Sequence, residues 1–505
     1  MKTISLKERA LGIAAAVLGV ALVITLTACG TNATPTSSSS SASSTASAAS
    51  AMSLAPTKNS LTTNETVTNS TAGEHAIEAN GETTSYANTA VEKTGDSASG
   101  DEADFYGDNA TVFATNGATL SLSEMVIESN GTHANGVFSY GDGTTVNIAD
   151  SVIETSGNCS GGLMTTGGGT TNASNLRITT SGRSSAAIRS DRGGGTVNVD
   201  GGVYTTSGTG SPVVYSTADI TVSNAQMEST ASQGIVVEGK NSVTLNDVEL
   251  VADNNAKNSD KSDFYQAVMI YQSMSGDAAS GQASFSMNGG SLTNKNGDVF
   301  FVNNTVANID LTDAAIANED ASGVFLRAAA AGWGTEGSNG GQVILNASNQ
   351  AIDGDMVVDD VSLLNLYLKD SSAFTGAINP DGAAGDVYVE IESGSTWKLT
   401  GDSWVTSLTC EAGAIDLNGY TLHVGDAEYD GASASTGNAI DIVVSESSSE
   451  GPGGTPPDGG GSGGPGGSGD QGGTPPEKPS GDPGSDSNDK GGTPPSKPND
   501  EKGGE

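Results

Sequence analysis

The chain is short of most residues that build enzyme centres and nucleic-acid surfaces. Of its 505 residues only 5% are aromatic, three are cysteine, three are histidine, and twenty lysines and arginines face sixty acids. A formal charge of −40 excludes nucleic acid, which needs cations against phosphate, and disfavours an anionic membrane surface. It permits divalent metals and keeps a repetitive β-protein soluble. His75, His133 and His423 are scattered. None belongs to a metal-ligand pair or lies near a Gly-x-Ser-x-Gly elbow, so zinc and serine-hydrolase chemistry gain little support. No long window has apolar residues at i, i+3, i+4 and i+7, which excludes helical repeats. The Leu/Asn framework of leucine-rich repeats is missing as well.

What the chain does have is repetition. Segments 135–160, 161–185 and 186–211 share one pattern. Each opens with an apolar run, passes a Gly-rich turn and a Thr/Val/Asn run, and ends near Thr-Ser-Gly. A unit this small buries its apolar face only against copies of itself. Three strand-like runs in about 25 residues predict one coil of an all-β parallel β-helix. The first apolar column is expected at Val137, Leu163, Ile188, Val214, Val236, Met269, Phe300 and Phe325. Extra residues in later coils, such as Asn254 to Ser262 and Gly276 to Gly281, are polar and expected to loop outward. Gly167–Gly169 and Gly193–Gly195 lack the context of a phosphate loop and read as tight corners.

The ends differ from the middle. Lys2, Lys7 and Arg9 precede an apolar run, Leu11 to Leu26, that closes in Leu26-Thr27-Ala28-Cys29. That reads as a signal peptide, 1–28, with a bacterial lipobox. Such a motif implies a lipid on Cys29 and anchoring at the outer face of the cytoplasmic membrane. A Ser/Thr/Ala tether follows, 29–60, then a lead-in or cap, 61–103. The β-helix itself is expected over 104–446, with Gly385 to Gly425, including Trp397 and Trp404, as last coils and cap. Residues 447–505 repeat Gly-Gly-Thr-Pro-Pro and are expected to be a disordered acidic tail. Cys159 and Cys410 fall many coils apart, beyond disulfide reach, and are expected as free thiols.

Four of the six arginines crowd into sixteen residues: Arg177, Arg183, Arg189 and Arg192. Arg189 and Asp191 are two apart and share one strand face. Planar guanidinium groups match carboxylates, so the cluster is a candidate subsite for a uronate. The competing expectation is that Asp191 pairs internally and pins a turn. Acid pairs Glu319-Asp320 and Asp359-Asp360 offer oxygen for Ca²⁺, or simply solvated charge. Phe138, Tyr215 and Phe301, grouped with Met164 and Ile270, are expected in one column, more readily core than an exposed strip.

The run from Asp104 to Gly425 also resembles the β-helical carbohydrate-binding surface lipoproteins and adhesins of anaerobic, mostly Gram-positive bacteria. The matching stretches include DFYGDNATVFATNG (104–117), GGLMTTGGGTTNASNL (161–176) and AAIRSDRGGGTVNVDGG (186–202). The resemblance implies a right-handed parallel β-helix with pectate-lyase-like architecture, an acidic polysaccharide ligand, and bound Ca²⁺. It places no calcium ligand on a numbered residue here. The expected function is therefore non-catalytic binding of extracellular polysaccharide or host-surface glycan, uronate-containing and Ca²⁺-assisted, with membrane attachment through the N-terminal lipid alone. One alternative is a polysaccharide lyase, with Arg189 or Arg192 as base and Asp191 on a metal. The other is an adhesin that recognises protein partners.

Overall fold

The structure, a computed structural model, describes residues 55–446 apart from 98, 274 and 383. Cys29, the expected signal peptide, nearly all of the tether and the 447–505 tail lie outside the described residues.

The described chain is a parallel β-helix. Eleven parallel strands form a narrow sheet, and each strand is the first of its coil. The second and third strands of the coils stack separately but join into one wide sheet, because Gly169–Thr180 and Gly195–Thr206 run unbroken through the corner, and only in the last coils, from Ala351–Asp353 on, do the third strands form a sheet of their own. The register follows the repeat: Val137, Leu163, Ile188, Val214, Ile235, Val268, Phe300 and Leu326 lie side by side and point inward. The expected column slips by one at Val236, Met269 and Phe325. The runs there are apolar on both parities, so sequence alone gives no phase, and a slip of one residue exchanges the faces. The inward columns make one continuous core from Ile77 to Leu422.

Two corner devices explain the repeat's polar signature. Between second and third strands the chain turns on one left-handed residue: Asp150, Asn175, Asn224 and Asp247 have φ of 47°, 51°, 54° and 50°. Asn and Asp tolerate this region better than other residues with a Cβ. The Thr-Ser-Gly turn is held otherwise. Thr180 Oγ1 donates to the Ser185 carbonyl at 2.5 Å, and Ser185 N donates to Ser211 Oγ of the next coil at 2.9 Å. A Cβ on Gly182 would lie 1.8 Å from the Gly157 carbonyl oxygen, so stacked coils leave room there only for hydrogen.

Parallel stacking begins earlier than expected. Glu65–Asn69 already pairs with Thr89–Lys93, so the 61–103 stretch contains the first coil and is not a separate lead-in. One helix, α1 (Gly100–Tyr106), follows. The Ser99 hydroxyl caps its start and Gly107, at φ 83°, ends it. At the other end, Trp397 is in the core, stacked on Phe374. Leu422–Val424 still stacks parallel on Ser403–Val405, and Ala427–Glu428 then turns back antiparallel against it. Residues 437–446 run extended along the wide sheet, where Asn365 exchanges two hydrogen bonds with the Ile440 backbone at 2.9 and 3.0 Å. Cys159 and Cys410 are buried and not disulfide-bonded.

Candidate functional site

The narrow sheet carries a second column on its outer face. Phe113, Phe138, Met164, Arg189, Tyr215, Val236, Met269, Phe301 and Arg327 succeed one another in register. Ile270, expected in this column, points inward instead. The column is outside the coil, yet most of it is buried. Helix α1 and its flanks cover Phe113, Phe138 and Met164 through Ala110 and Tyr106. Phe264, Ala331 and Trp333 cover Val236, Met269 and Phe301. The cover thus comes from Phe264, just after the first insertion, and from the stretch between Leu326–Ala328 and Gly341–Ser348 that carries Ala331 and Trp333. The two insertions expected to loop outward also fold back, Asn258 onto Arg183 and Asp277 onto Arg192. Apolar outer residues make that return favourable, at about 25 cal/mol for each Å² removed from water.

Charge lies between the two covers. Arg189, in Ile188–Ser190, donates to Asp191 Oδ2 at 2.6 Å. Asp191 Oδ1 accepts the Arg192 backbone N–H at 3.0 Å. The Arg192 guanidinium donates to Asp277 Oδ1 through Nε at 2.9 Å and lies 4.0 Å from the Phe105 ring centre. Asp277 belongs to the folded-back insertion and is buried. Burial pushes the Asp191 carboxyl up, Arg189 pulls it down, and Asp277 and Asp104 push it up again, to about 7. Both arginines hold their protons more tightly than usual, since carboxylate partners outweigh desolvation.

The rest of the sequence cluster does not converge. Arg177 donates from Nε to the Pro56 carbonyl at 2.7 Å and ties the N-terminal segment to the solenoid. Arg183 sits exposed in the following turn, with Nε 3.4 Å from Asn258 Oδ1. The structure thus brings Arg189, Asp191 and Arg192 together, separates Arg177 and Arg183 from them, and gives each clustered cation at the narrow sheet an internal carboxylate. The acid pairs are also engaged by turns. Asp320 Oδ1 accepts Ser322 N and Oγ, and Asp359 Oδ2 accepts Ala330 N.

Three further groupings were not anticipated from the sequence. The first is a buried acid beneath the second cover. Glu238 Oε2 accepts from the hydroxyls of Tyr215 and Tyr271. Burial raises its pKa, and the hydroxyls of Ser273, Tyr215 and Tyr271 oppose that. Beside it is a cavity of about 110 Å³ lined by Tyr215, Met269, Tyr271, Phe264, Trp333 and Gln266. The second grouping is Asp104, His133 and Cys159. His133 Nδ1 and Asp104 Oδ1 are 2.9 Å apart. Burial opposes charge on His133, but Asp104 and Cys159 together lift its pKa to about 10. Among the described residues this is the one group of three or more such side chains whose ligand atoms converge, and it gathers residues that the scattered histidines, none in a metal-ligand pair along the sequence, did not point to.

The third grouping is on the wide sheet's open face. Asn147, Asn172 and Asn198 occupy the same position in successive coils. Asn172 Nδ2 donates to Asn147 Oδ1, and Asn198 Nδ2 to Asn172 Oδ1, both at 3.0 Å. The ladder lines an open groove of about 710 Å³ with Ser121, Ser174, Asp200, Thr221 and Ser223. Asn172 and Asn198 each spend one of their two N–H groups in the ladder while Asn147 only accepts, so every amide keeps capacity for another bond. The signal was present: the three asparagines recur at the repeat spacing.

No family model, curated protein or solved structure matches the chain.

Proposed function

We propose that this protein is a lipid-anchored, non-catalytic binder of an extended extracellular polysaccharide, which lies along the asparagine groove. The groove carries this reading. It runs across stacked coils and offers an amide on three successive coils, flanked by hydroxyls of Ser121 and Thr221, at a spacing of ~4.8 Å, the requirement for a polymer held by many shallow contacts. Further along the same sheet the protein's own residues 437–446 already lie extended, held by Asn365, Ser407 and Thr409. A neutral glycan suits the groove better than a uronate, because Asp200 is in it and Asp150 borders it while Arg189 and Arg192 are spent on Asp191 and Asp277. The lyase alternative needs an arginine that yields its proton, and these two hold theirs more tightly. Anchoring through Cys29 remains part of the proposal on sequence grounds.

The test uses the full chain in detergent against soluble neutral glucans, mannans and polygalacturonate in affinity gels, with and without chelator. Retention on a neutral polymer is expected, with no rise in ultraviolet absorbance from unsaturated products. Replacing Asn147, Asn172 and Asn198 together by Ala should weaken retention at least about tenfold, since each lost hydrogen bond is worth ~0.5–1.5 kcal/mol. Equal retention by that variant, or none by the wild type on any glycan, would remove the groove reading.

A further inference from the structure

We propose that Asp104, His133 and Cys159 form a site for a single tetrahedral transition-metal ion, of which Zn²⁺ is the type. The inference is independent of glycan binding. One ligand atom from each residue lies within 4.8 Å of the others. Thiolate, imidazole and carboxylate together are zinc's ligand set, whereas Ca²⁺ and Mg²⁺ want oxygen alone.

Rigid elements present the three groups. His133 and Cys159 hold the same place in consecutive coils, each left-handed, with φ of 56° and 55°. Their amides donate to the next coil, His133 N to Asn158 O and Cys159 N to Arg183 O, both at 2.8 Å. Neighbouring coils therefore send the imidazole and the thiol out side by side. Asp104 comes from the other direction, on α1, fastened by the buried Ala103 and Phe105. A Cβ on Gly100 would lie 3.1 Å from His133 Cε1, so the helix start also flanks the ring. The side chains of His133 and Asp104 are only 14% and 13% exposed, and Cys159 is buried.

Charge favours the ion. A carboxylate and a thiolate balance a dication, which would take the place of the proton between His133 and Asp104 and of the thiol proton. Arg189 is the adverse neighbour, but Asp191 at 2.6 Å offsets its charge. Three protein ligands leave a fourth position for water. The ion would join α1 to two coils and so fasten the cover over Phe138 and Met164.

The experiment titrates Co²⁺ into the chelator-stripped full chain and records absorbance. One equivalent should give thiolate-to-cobalt charge transfer in the near ultraviolet and tetrahedral bands in the visible, and Zn²⁺ should abolish both. Cys159→Ser should lose the charge-transfer band, and His133→Asn should weaken Zn²⁺ binding at least about 100-fold, each with the wild-type circular dichroism spectrum. Cys410→Ser should keep the signal. Cobalt bound without a charge-transfer band, as by the acidic surface alone, would overturn the site. So would a band that survives Cys159→Ser or disappears in Cys410→Ser. Should Cys159→Ser not fold, His133→Asn and Cys410→Ser decide the matter.

Discussion

The outer face of the narrow sheet and the second-strand face of the wide sheet are walls of the same coils, yet one is covered and the other lies open. On the narrow sheet the outward column is Phe138, Met164, Tyr215, Met269 and Phe301, sealed by α1 and its flank and by Phe264, Ala331 and Trp333. On the wide sheet the outward column is Ser121, Asn147, Asn172, Asn198, Thr221 and Thr244, and over the groove nothing in the described chain covers it. The difference lies in what each column gains from water. Apolar side chains gain by removal from it, and amides and hydroxyls already satisfied by it do not. Covered surface then collects the perturbed acids Asp191 and Glu238, and open surface remains for a large ligand.

The largest expected effect tests the covered side directly. Phe301 is fully buried although it points away from the core, and the Phe264 ring lies 5.6 Å from it. Phe301→Ala should cost about 3–5 kcal/mol, as in a true core. Thr244→Ala on the open face should stay within about 0.5 kcal/mol. Chemical denaturation of both variants measures the contrast, and equal costs would mean that the cover does not seal.

Next is the charged seam between the covers. Arg192→Ala leaves Asp277 buried without its partner and should destabilise by about 2–3 kcal/mol, below the cost of breaking a fully buried pair because Arg192 is partly exposed. Arg192→Ala combined with Asp277→Ala should recover part of that loss in a double-mutant cycle.

The smallest effect is a pH dependence. Asp191 has a folded pKa of about 7 against an unfolded value near ~3.9. The folded state therefore binds the extra proton between those values, and stability falls as pH rises from about 4 to 7. Arg189, Arg192, Asp104, Asp277, Tyr215 and Tyr271 surround the group, and burial raises Glu238 in the same direction. The melting temperature should be a few degrees higher at pH 5 than at pH 8. Asp191→Asn should flatten that slope, and an unchanged slope would assign it to the general negative charge of the surface.

Much of the fold was legible because stacking writes itself into sequence. Coil length, three runs per coil and Asn/Asp/Gly corners follow from Val137, Leu163 and Ile188 recurring in phase. The phase failed at Val236, where Ile235, Val236 and Val237 are all apolar. The start failed because Glu65–Asn69 lacks the apolar run of later coils. Arg189 and Asp191 were legible as neighbours on one strand face, but Asp277, the partner of Arg192, is 85 positions from it. The asparagine groove was readable in principle, since its residues keep the repeat spacing.

By itself the sequence determined the parallel stack, its corners and the matching positions in successive coils, because these depend on short-range pattern. Only the tertiary structure decided which outer face is covered, that Asp277 neutralises Arg192, and that Asp104 meets His133 and Cys159. Those outcomes depend on where a loop or a short helix comes to rest across several coils. The free energy that places it comes from many buried contacts, and no local run of residues encodes the address.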